Sequence, residues 1–78
     1  MASENRFTRE GLEKLRAELE QLKGEERLRI AETIRDAKSH GDLRENAAYH
    51  EAKLNQTRLE KRIADLEGAI SKARIVDE

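Results

Sequence analysis

The sequence has no cysteine, so neither a disulfide framework nor a zinc site with thiolate ligands can form. It also lacks proline and tryptophan, and it has one phenylalanine and one tyrosine. No apolar run exceeds about three residues, which excludes a transmembrane helix and the apolar core of a signal peptide. We therefore expect a soluble protein located in the cytoplasm.

Net charge is also almost absent, because 16 basic and 17 acidic residues give a formal net charge of −1. Such a balance provides no overall field to attract nucleic acid or a membrane surface. Charged residues of both signs make up 42% of the chain against 36% hydrophobic residues, a mixture typical of long or coiled-coil helices. A disordered chain is the alternative, since 78 residues can bury only a small interior. The periodicity of the apolar residues decides between the two.

The first half of the chain predicts one long helix. Residues 1–6 are polar and are expected to be loose. Thr8 then offers an N-cap hydroxyl, and Phe7 can close a hydrophobic staple on Leu12. Apolar residues follow on one helical face, but this stripe changes phase near Gly24, where we expect a local change in winding. The stripe consists of Leu12, Leu15, Leu19, Leu22, Ile30, Ile34 and Ala37.

The second half predicts a more regular helix, whose apolar stripe alternates steps of three and four residues. After it, the β-branched pair Ile75 and Val76 lies among charged residues and indicates a short extended tail over residues 73–78. The stripe of this second helix consists of Tyr49, Ala52, Gln56, Leu59, Ile63, Leu66, Ile70 and Ala73.

The two stripes face each other if the chain folds back on itself. Leu12 would then face Ile70, Leu22 would face Leu59, and the turn would fall near Gly41, where glycine tolerates a positive φ angle. The sequence therefore predicts an all-α fold, a long antiparallel two-helix coiled-coil hairpin that forms a single domain. Because two helices bury little apolar surface, we expect the free domain to be monomeric or weakly self-associating. Over residues 1–78, the predicted parts are a first helix at about 9–38, a tip at about 39–44, a second helix at about 45–72 and the extended tail.

Asp42 and Glu45 at the tip admit two interpretations. Their spacing is that of a capping box, with Asp42 as the N-cap of the second helix and Glu45 reaching back to it. Carboxylates at the end of a rod can also bind Mg²⁺, which takes one or two protein carboxylates and completes its shell with water and phosphate oxygens. Two carboxylates are too few for a tight site, so the ion would be shared with a partner, where it could complete a two-metal centre for phosphodiester hydrolysis. His40 and His50 flank the tip and are expected to be surface residues.

Three stretches of the sequence resemble one known family. Residues 40–53, HGDLRENAAYHEAK, resemble the tip motif of the bacterial Gre transcript cleavage factors, and are closer to the GreA type than to the GreB type. Residues 8–19 resemble the start of that family's first helix, and residues 73–77 resemble the exit from its second helix. The resemblance thus spans nearly the whole chain.

This resemblance implies a coiled-coil finger that enters the secondary channel of bacterial RNA polymerase. Asp42 and Glu45 would be the catalytic pair there, holding Mg²⁺ shared with the polymerase active site, so that the polymerase cleaves its own backtracked RNA. The chain would bind no cofactor tightly and would not itself be a nuclease. The resemblance assigns tip support to Gly41, Asn46 and Tyr49, and contact with polymerase or the 3′ segment of RNA to Lys38, Arg44 and Lys53.

Two departures from the family affect these expectations. Ala48 stands where an acidic residue is common, which would weaken the electrostatic field of the tip. The family also continues past Val76 into a globular C-terminal domain that docks on the polymerase; we expect that domain to be absent here, and the finger alone to bind weakly. Two other functions stay open, a channel-binding regulator that does not promote cleavage and a structural coiled coil in which Asp42 and Glu45 only cap a helix.

Overall fold

The computed structural model describes residues 5–76, which form a helical hairpin measuring 56 × 27 × 13 Å along its principal axes. The first arm runs without interruption from residue 9 to residue 38, and the second arm returns beside it from residue 47 to residue 71. The predicted all-α hairpin is confirmed. In chain order the elements are strand β1 (Asn5–Phe7), helix α1 (Arg9–Gln21), a π-helical segment (Leu22–Glu26), helix α2 (Arg27–Lys38), a 3₁₀ turn (Leu43–Glu45), helix α3 (Ala47–Ser71) and strand β2 (Ala73–Ile75).

Thr8 caps the start of the first arm, as its sequence position predicts. Its backbone is extended, and its hydroxyl oxygen Oγ1 accepts a hydrogen bond of 3.0 Å from the N–H of Gly11. This bond satisfies one of the amide groups that the first turn of a helix leaves unpaired.

The core is a single line of apolar side chains between the arms. Ile63 and Leu66 are each only 2% exposed, whereas Leu15 and Leu19 on the facing stripe stay half-buried. Two helices cover each other on one face only, so most of each arm remains in solvent. No helix in the described part of the chain combines the length and the apolar character that a membrane span requires. The buried residues all belong to the two predicted stripes: Leu12, Ile34, Ala37, Ala52, Leu59, Ile63 and Leu66.

The π-helical segment accounts for the change of phase in the first stripe. Between Leu22 and Ile34 the stripe is one residue longer than alternating steps of three and four residues would give. A π turn holds one extra residue because its hydrogen bonds span five residues instead of four, as the bond from the N–H of Arg27 to the carbonyl of Leu22 does. The wide turn therefore brings Ile34 back to the seam, and the expected change in winding near Gly24 is confirmed.

A parallel pair of strands closes the open end of the hairpin. Phe7 in β1 lies beside Ile75 in β2, and the N–H of Val76 donates to the carbonyl of Phe7 at 2.9 Å. The expectation of a loose start is therefore wrong for residues 5 and 6, because the hairpin brings the two ends of the chain together and lets them pair. Strand β2 occupies the start of the expected extended tail, while residues 1–4 and 77–78 lie outside the described part.

Charged side chains also bridge the arms. Arg62 donates two hydrogen bonds of 3.0 Å to Glu18, and Lys23 Nζ lies 3.1 Å from a carboxylate oxygen of Glu67. These side chains are largely exposed, so each pair adds little net stability. Their fixed geometry nevertheless favours one register of the arms over its neighbours.

Candidate functional site at the hairpin tip

The chain turns at the tip through Ser39, His40 and Gly41. The N–H groups of Ser39 and His40 donate to the carbonyls of Asp36 and Ala37 at 3.1 Å, so that α2 ends in a tightened last turn. Gly41 has a φ angle of 119°, which residues with a side chain rarely adopt. The chain thus reverses at the residue near which the two stripes place the turn.

Asp42 and Glu45 bracket the 3₁₀ turn at the end of the hairpin. Asp42 accepts a hydrogen bond of 2.9 Å from the N–H of Arg44 through Oδ1, and its carbonyl accepts one of 3.3 Å from the N–H of Glu45. Both residues are exposed. Within residues 5–76, neither carboxylate forms an ion pair with lysine or arginine. The tip therefore presents two carboxylates to the solvent.

Asn46 caps α3, and this corrects the capping-box interpretation. Its side-chain oxygen Oδ1 accepts a hydrogen bond of 3.0 Å from the N–H of Tyr49. The helix begins at Ala47, two residues later than predicted, and Asp42 caps only the 3₁₀ turn before it. Asn46 also donates through Nδ2 to the carbonyl of Ala37 at the end of the first arm. An amide can accept and donate at once, whereas a carboxylate can only accept, so asparagine suits this position better than aspartate or glutamate.

The carboxylate oxygens of the tip can supply part of the coordination shell of Mg²⁺ but not all of it. Mg²⁺ prefers carboxylate oxygens and demands octahedral coordination. Asp42 and Glu45 supply such oxygens, but no group of three or more His, Cys, Asp or Glu side chains in the described part of the chain could hold a metal ion. A second molecule would have to provide the remaining ligands.

Lys38 and Lys53 line one open groove between α2 and α3, just behind the tip. The groove has a volume of about 420 Å³, and its rim also includes Arg35, which sequence reasoning missed. Arg35 lies one helical turn before Lys38, so the spacing of three residues could have indicated a shared face. Arg44, the third expected contact, is not in this groove but lies exposed in the 3₁₀ turn.

Tyr49 and His50 lie in the first turn of α3. Tyr49 is half-buried, and its ring centroid lies 5.6 Å from that of His50 in an edge-to-face arrangement. His50 Nε2 lies 3.3 Å from the carbonyl oxygen of Arg44, while His40 Nε2 lies 3.7 Å from the carboxylate of Asp36. Sequence reasoning missed the contact of His50 with the tip, because that contact depends on the path of the 3₁₀ turn.

Comparison with known proteins gives the family of the chain. Residues 5–75 match a family model described as "Transcription elongation factor, N-terminal", which covers the GreA and GreB proteins. The chain is 50% identical over 71 residues to transcription elongation factor GreA of Halorhodospira halophila, covering 91% of this chain and 45% of that protein. It is 56% identical over 68 residues to GreA of Novosphingobium aromaticivorans, covering 87% and 42% of the two chains. For GreA of Thioalkalivibrio sulfidiphilus the identity is 45% over 75 residues, covering 96% and 48%.

The chain thus spans about half the length of the curated relatives it matches. Its match to the family model runs from strand β1 to strand β2 and includes the whole tip. The chain therefore belongs to the GreA and GreB family of transcription elongation factors, in the part that the family model describes as N-terminal.

Proposed function

We propose that this hairpin acts in transcription elongation by inserting into the secondary channel of bacterial RNA polymerase and stimulating the polymerase's own cleavage of backtracked RNA. The observation that supports this most directly is the state of Asp42 and Glu45. Both are exposed at the end of a hairpin 56 Å long, and Asn46 takes over the capping of α3. Side chains that are not needed to cap α3 and that lie at the end of a narrow rod are suited to act inside another molecule.

The two carboxylates would hold Mg²⁺ together with the polymerase active site. When bound, the ion would activate and orient the water that attacks the phosphodiester bond. The N–H of Arg44 fixes one oxygen of Asp42 in the 3₁₀ turn, which orients that carboxylate. The main-chain N–H of Glu45 donates to the main-chain carbonyl of Asp42, and this bond holds the two residues in a fixed relative position. Both side chains would therefore arrive with their backbone positions already set, which reduces the ordering that the complex requires.

The groove behind the tip would receive the 3′ segment of the backtracked RNA. Lys38, Lys53 and the additional Arg35 line this groove, and cationic side chains bind phosphates without reading the base sequence. Arg44 is exposed in the 3₁₀ turn and would contact polymerase or RNA ahead of the groove. The cationic side chains of the groove would then bind the phosphates of the RNA, while the carboxylates of the tip would bind the metal ion.

We further propose that the chain is not itself a nuclease and that it works in the cytoplasm with RNA polymerase as its partner. Two carboxylates on an open tip provide neither a full metal site nor a cleft that encloses a substrate. The polymerase would provide the missing ligands and the enclosure. Free hairpins would be monomeric or weakly self-associating, because the seam between the arms already covers their buried stripes.

Cleavage of end-labelled RNA in stalled, backtracked polymerase complexes tests this function. The chain added in excess should accelerate cleavage, and Asp42→Asn or Glu45→Gln should each reduce that acceleration at least about tenfold, as expected for groups that position a catalytic ion. Asp65→Asn is the matched control, because Asp65 is an exposed carboxylate far along α3 whose ion pair is with Lys61 in the same helix. This variant should accelerate cleavage by the polymerase as much as the unmodified chain does.

Three other results would contradict the proposal. Binding to polymerase with no dependence on Asp42 or Glu45 would indicate a channel-binding regulator that does not promote cleavage. Cleavage of RNA without polymerase would make the chain an enzyme. Absence of both binding and stimulation, also at high concentrations of the chain, would leave a structural coiled coil.

A further inference from the structure

We propose that Asn46 is a positioning residue whose side-chain NH₂ group holds the tip in the geometry that presents Asp42 and Glu45. This donor is not needed for capping α3, which uses only the side-chain oxygen. The inference rests on the proposed function, because it assigns Asn46 a role in the efficiency of cleavage as well as in stability.

Every kind of hydrogen-bonding group on Asn46 is engaged. Its main-chain N–H donates to the carbonyl of Leu43 at 3.4 Å, and its main-chain carbonyl accepts from the N–H of His50 at 3.1 Å. Its side-chain oxygen accepts from Tyr49 at 3.0 Å, and its side-chain nitrogen donates to the carbonyl of Ala37 at 2.5 Å. Asn46 therefore joins three elements, namely the last turn of α2, the 3₁₀ turn and the start of α3.

The orientation of the amide follows from its partners. Tyr49 presents an N–H donor to the amide oxygen of Asn46, and Ala37 presents a carbonyl acceptor to the amide nitrogen. Reversing the amide would place donor against donor on one side and acceptor against acceptor on the other. The half-buried setting of Asn46 raises the cost of such mismatches, so the bond to Ala37 is specific to an amide.

The hydrogen bond from Asn46 to the carbonyl of Ala37 links the two arms just below the tip. The eight residues between Ala37 and Asn46 include both carboxylates, the turn at Gly41 and the basic residue Lys38. Without this bond, the carbonyl of Ala37 keeps its hydrogen bond from His40, and α3 keeps its cap from Oδ1. The arms would remain folded, but the enclosed segment would lose its tie to the first arm.

The variants Asn46→Asp and Asn46→Ser distinguish the role of the amide donor from that of the amide oxygen, which caps α3. Aspartate and serine cap helices about as well as asparagine, yet aspartate has no donor for Ala37 and serine is too short to reach it. The two variants differ in charge, so a shared effect cannot come from the added carboxylate. Asn55→Asp and Asn55→Ser are the matched controls, because Asn55 is an exposed asparagine of the same helix.

The readouts are the maximal cleavage rate, the concentration of chain at half-maximal rate, the melting temperature and the NMR order parameters of residues 41–45. We expect both Asn46 variants to lower the maximal rate about tenfold, since small misplacements of catalytic groups cost factors of this size. The half-maximal concentration should stay within about twofold of the unmodified value, because a donor used only to position the tip affects the rate and not binding. Order parameters of the tip should fall, and the melting temperature should remain close to that of the Asn55 variants.

Three results would overturn the inference. Wild-type maximal rates in both Asn46 variants, or a loss with Asn46→Asp alone, would show that the donor has no positioning role. Unchanged order parameters would do the same without any polymerase. If the unmodified chain fails to stimulate cleavage, or Asp42→Asn has no effect in the same assay, the proposed function itself fails, and the order parameters still report whether Asn46 holds the tip.

Discussion

Arg27 and Glu60 form a two-pronged ion pair across the seam between the arms. Arg27 donates from Nε to Oε2 at 2.8 Å and from Nη2 to Oε1 at 2.7 Å. Arg27 is the first residue after the π-helical segment, so the pair joins the arms at the point where the winding of the first arm returns to α. This two-point contact between a planar guanidinium and a carboxylate would be broken if one arm shifted along the other. The pair therefore favours the observed register of the hairpin.

The first prediction concerns how the ion pair between Arg27 and Glu60 makes stability depend on pH. The hydrogen bonds from Arg27 hold the pKa of Glu60 below its ordinary value of 4.5. A lowered pKa in the folded state means that the pair contributes its full stability above pH 4.5 and loses it as the pH falls through the lower, folded-state pKa. Glu60→Gln should therefore lower the melting temperature at neutral pH, and the difference from the unmodified chain should shrink on acidification.

Circular dichroism melts between about pH 7 and about pH 3 measure this difference, and linkage gives its sign. Glu32→Gln is the control, because Glu32 is an exposed glutamate on α2. A difference between Glu60→Gln and the unmodified chain that stays constant or grows toward acid would contradict the argument.

The second prediction contrasts two glycines. Gly68 lies in α3 with open space where a Cβ would stand, so Gly68→Ala should raise the free energy of unfolding by about 0.5–1 kcal/mol through helix propensity. Gly41 has equally open space but a φ angle of 119°, so Gly41→Ala should lower the free energy of unfolding by about 1–3 kcal/mol. Urea unfolding followed by circular dichroism measures both values, and equal effects of the two substitutions would be inconsistent with the turn described here.

Sequence reasoning succeeded where one periodic pattern determines the structure. The stripes fix which face of each helix is buried, and the extra residue between Leu22 and Ile34 indicates the change in winding before the π turn is seen. The cap of α3 could not be chosen in this way, because Asp42 and Asn46 are both good N-caps and only the reach of Asn46 to Ala37 separates them.

The base of the hairpin and the basic groove show a different limit. Strand β1 is three residues long and pairs with residues at the other end of the chain, so its formation depends on the hairpin and not on local propensity. Arg35 joins Lys38 and Lys53 only when the second arm lies beside the first. Such features arise from tertiary contact, which a single sequence does not display.

The third prediction tests the π-helical segment. Deleting Glu25 removes the extra residue, so the segment should become α-helical while Ile34 and Ala37 stay in the seam. Deleting Thr57 is the control, because α3 has a regular stripe and no residue to spare, and its loss should turn the buried residues before or after it away from the seam. We expect the Glu25 deletion to melt cooperatively near the temperature of the unmodified chain and the Thr57 deletion to melt far below it. Comparable decreases in melting temperature for the two deletions would mean that the π turn does not correct the phase of the first apolar stripe.

The last prediction concerns stability at the tip, where the capping box and the Asn46 cap lead to opposite outcomes. If Asn46 caps α3, Asn46→Ala should lower the free energy of unfolding by about 1 kcal/mol, because the cap is lost. Asp42→Ala and Glu45→Gln should each change it by less than about 0.5 kcal/mol, since both side chains are exposed and Asp42 caps only the 3₁₀ turn. Urea unfolding of the three variants decides the question. A loss for Asp42→Ala as large as for Asn46→Ala would mean that Asp42 caps the helix in solution, and its carboxylate would then have to leave the helix before it could bind a metal ion.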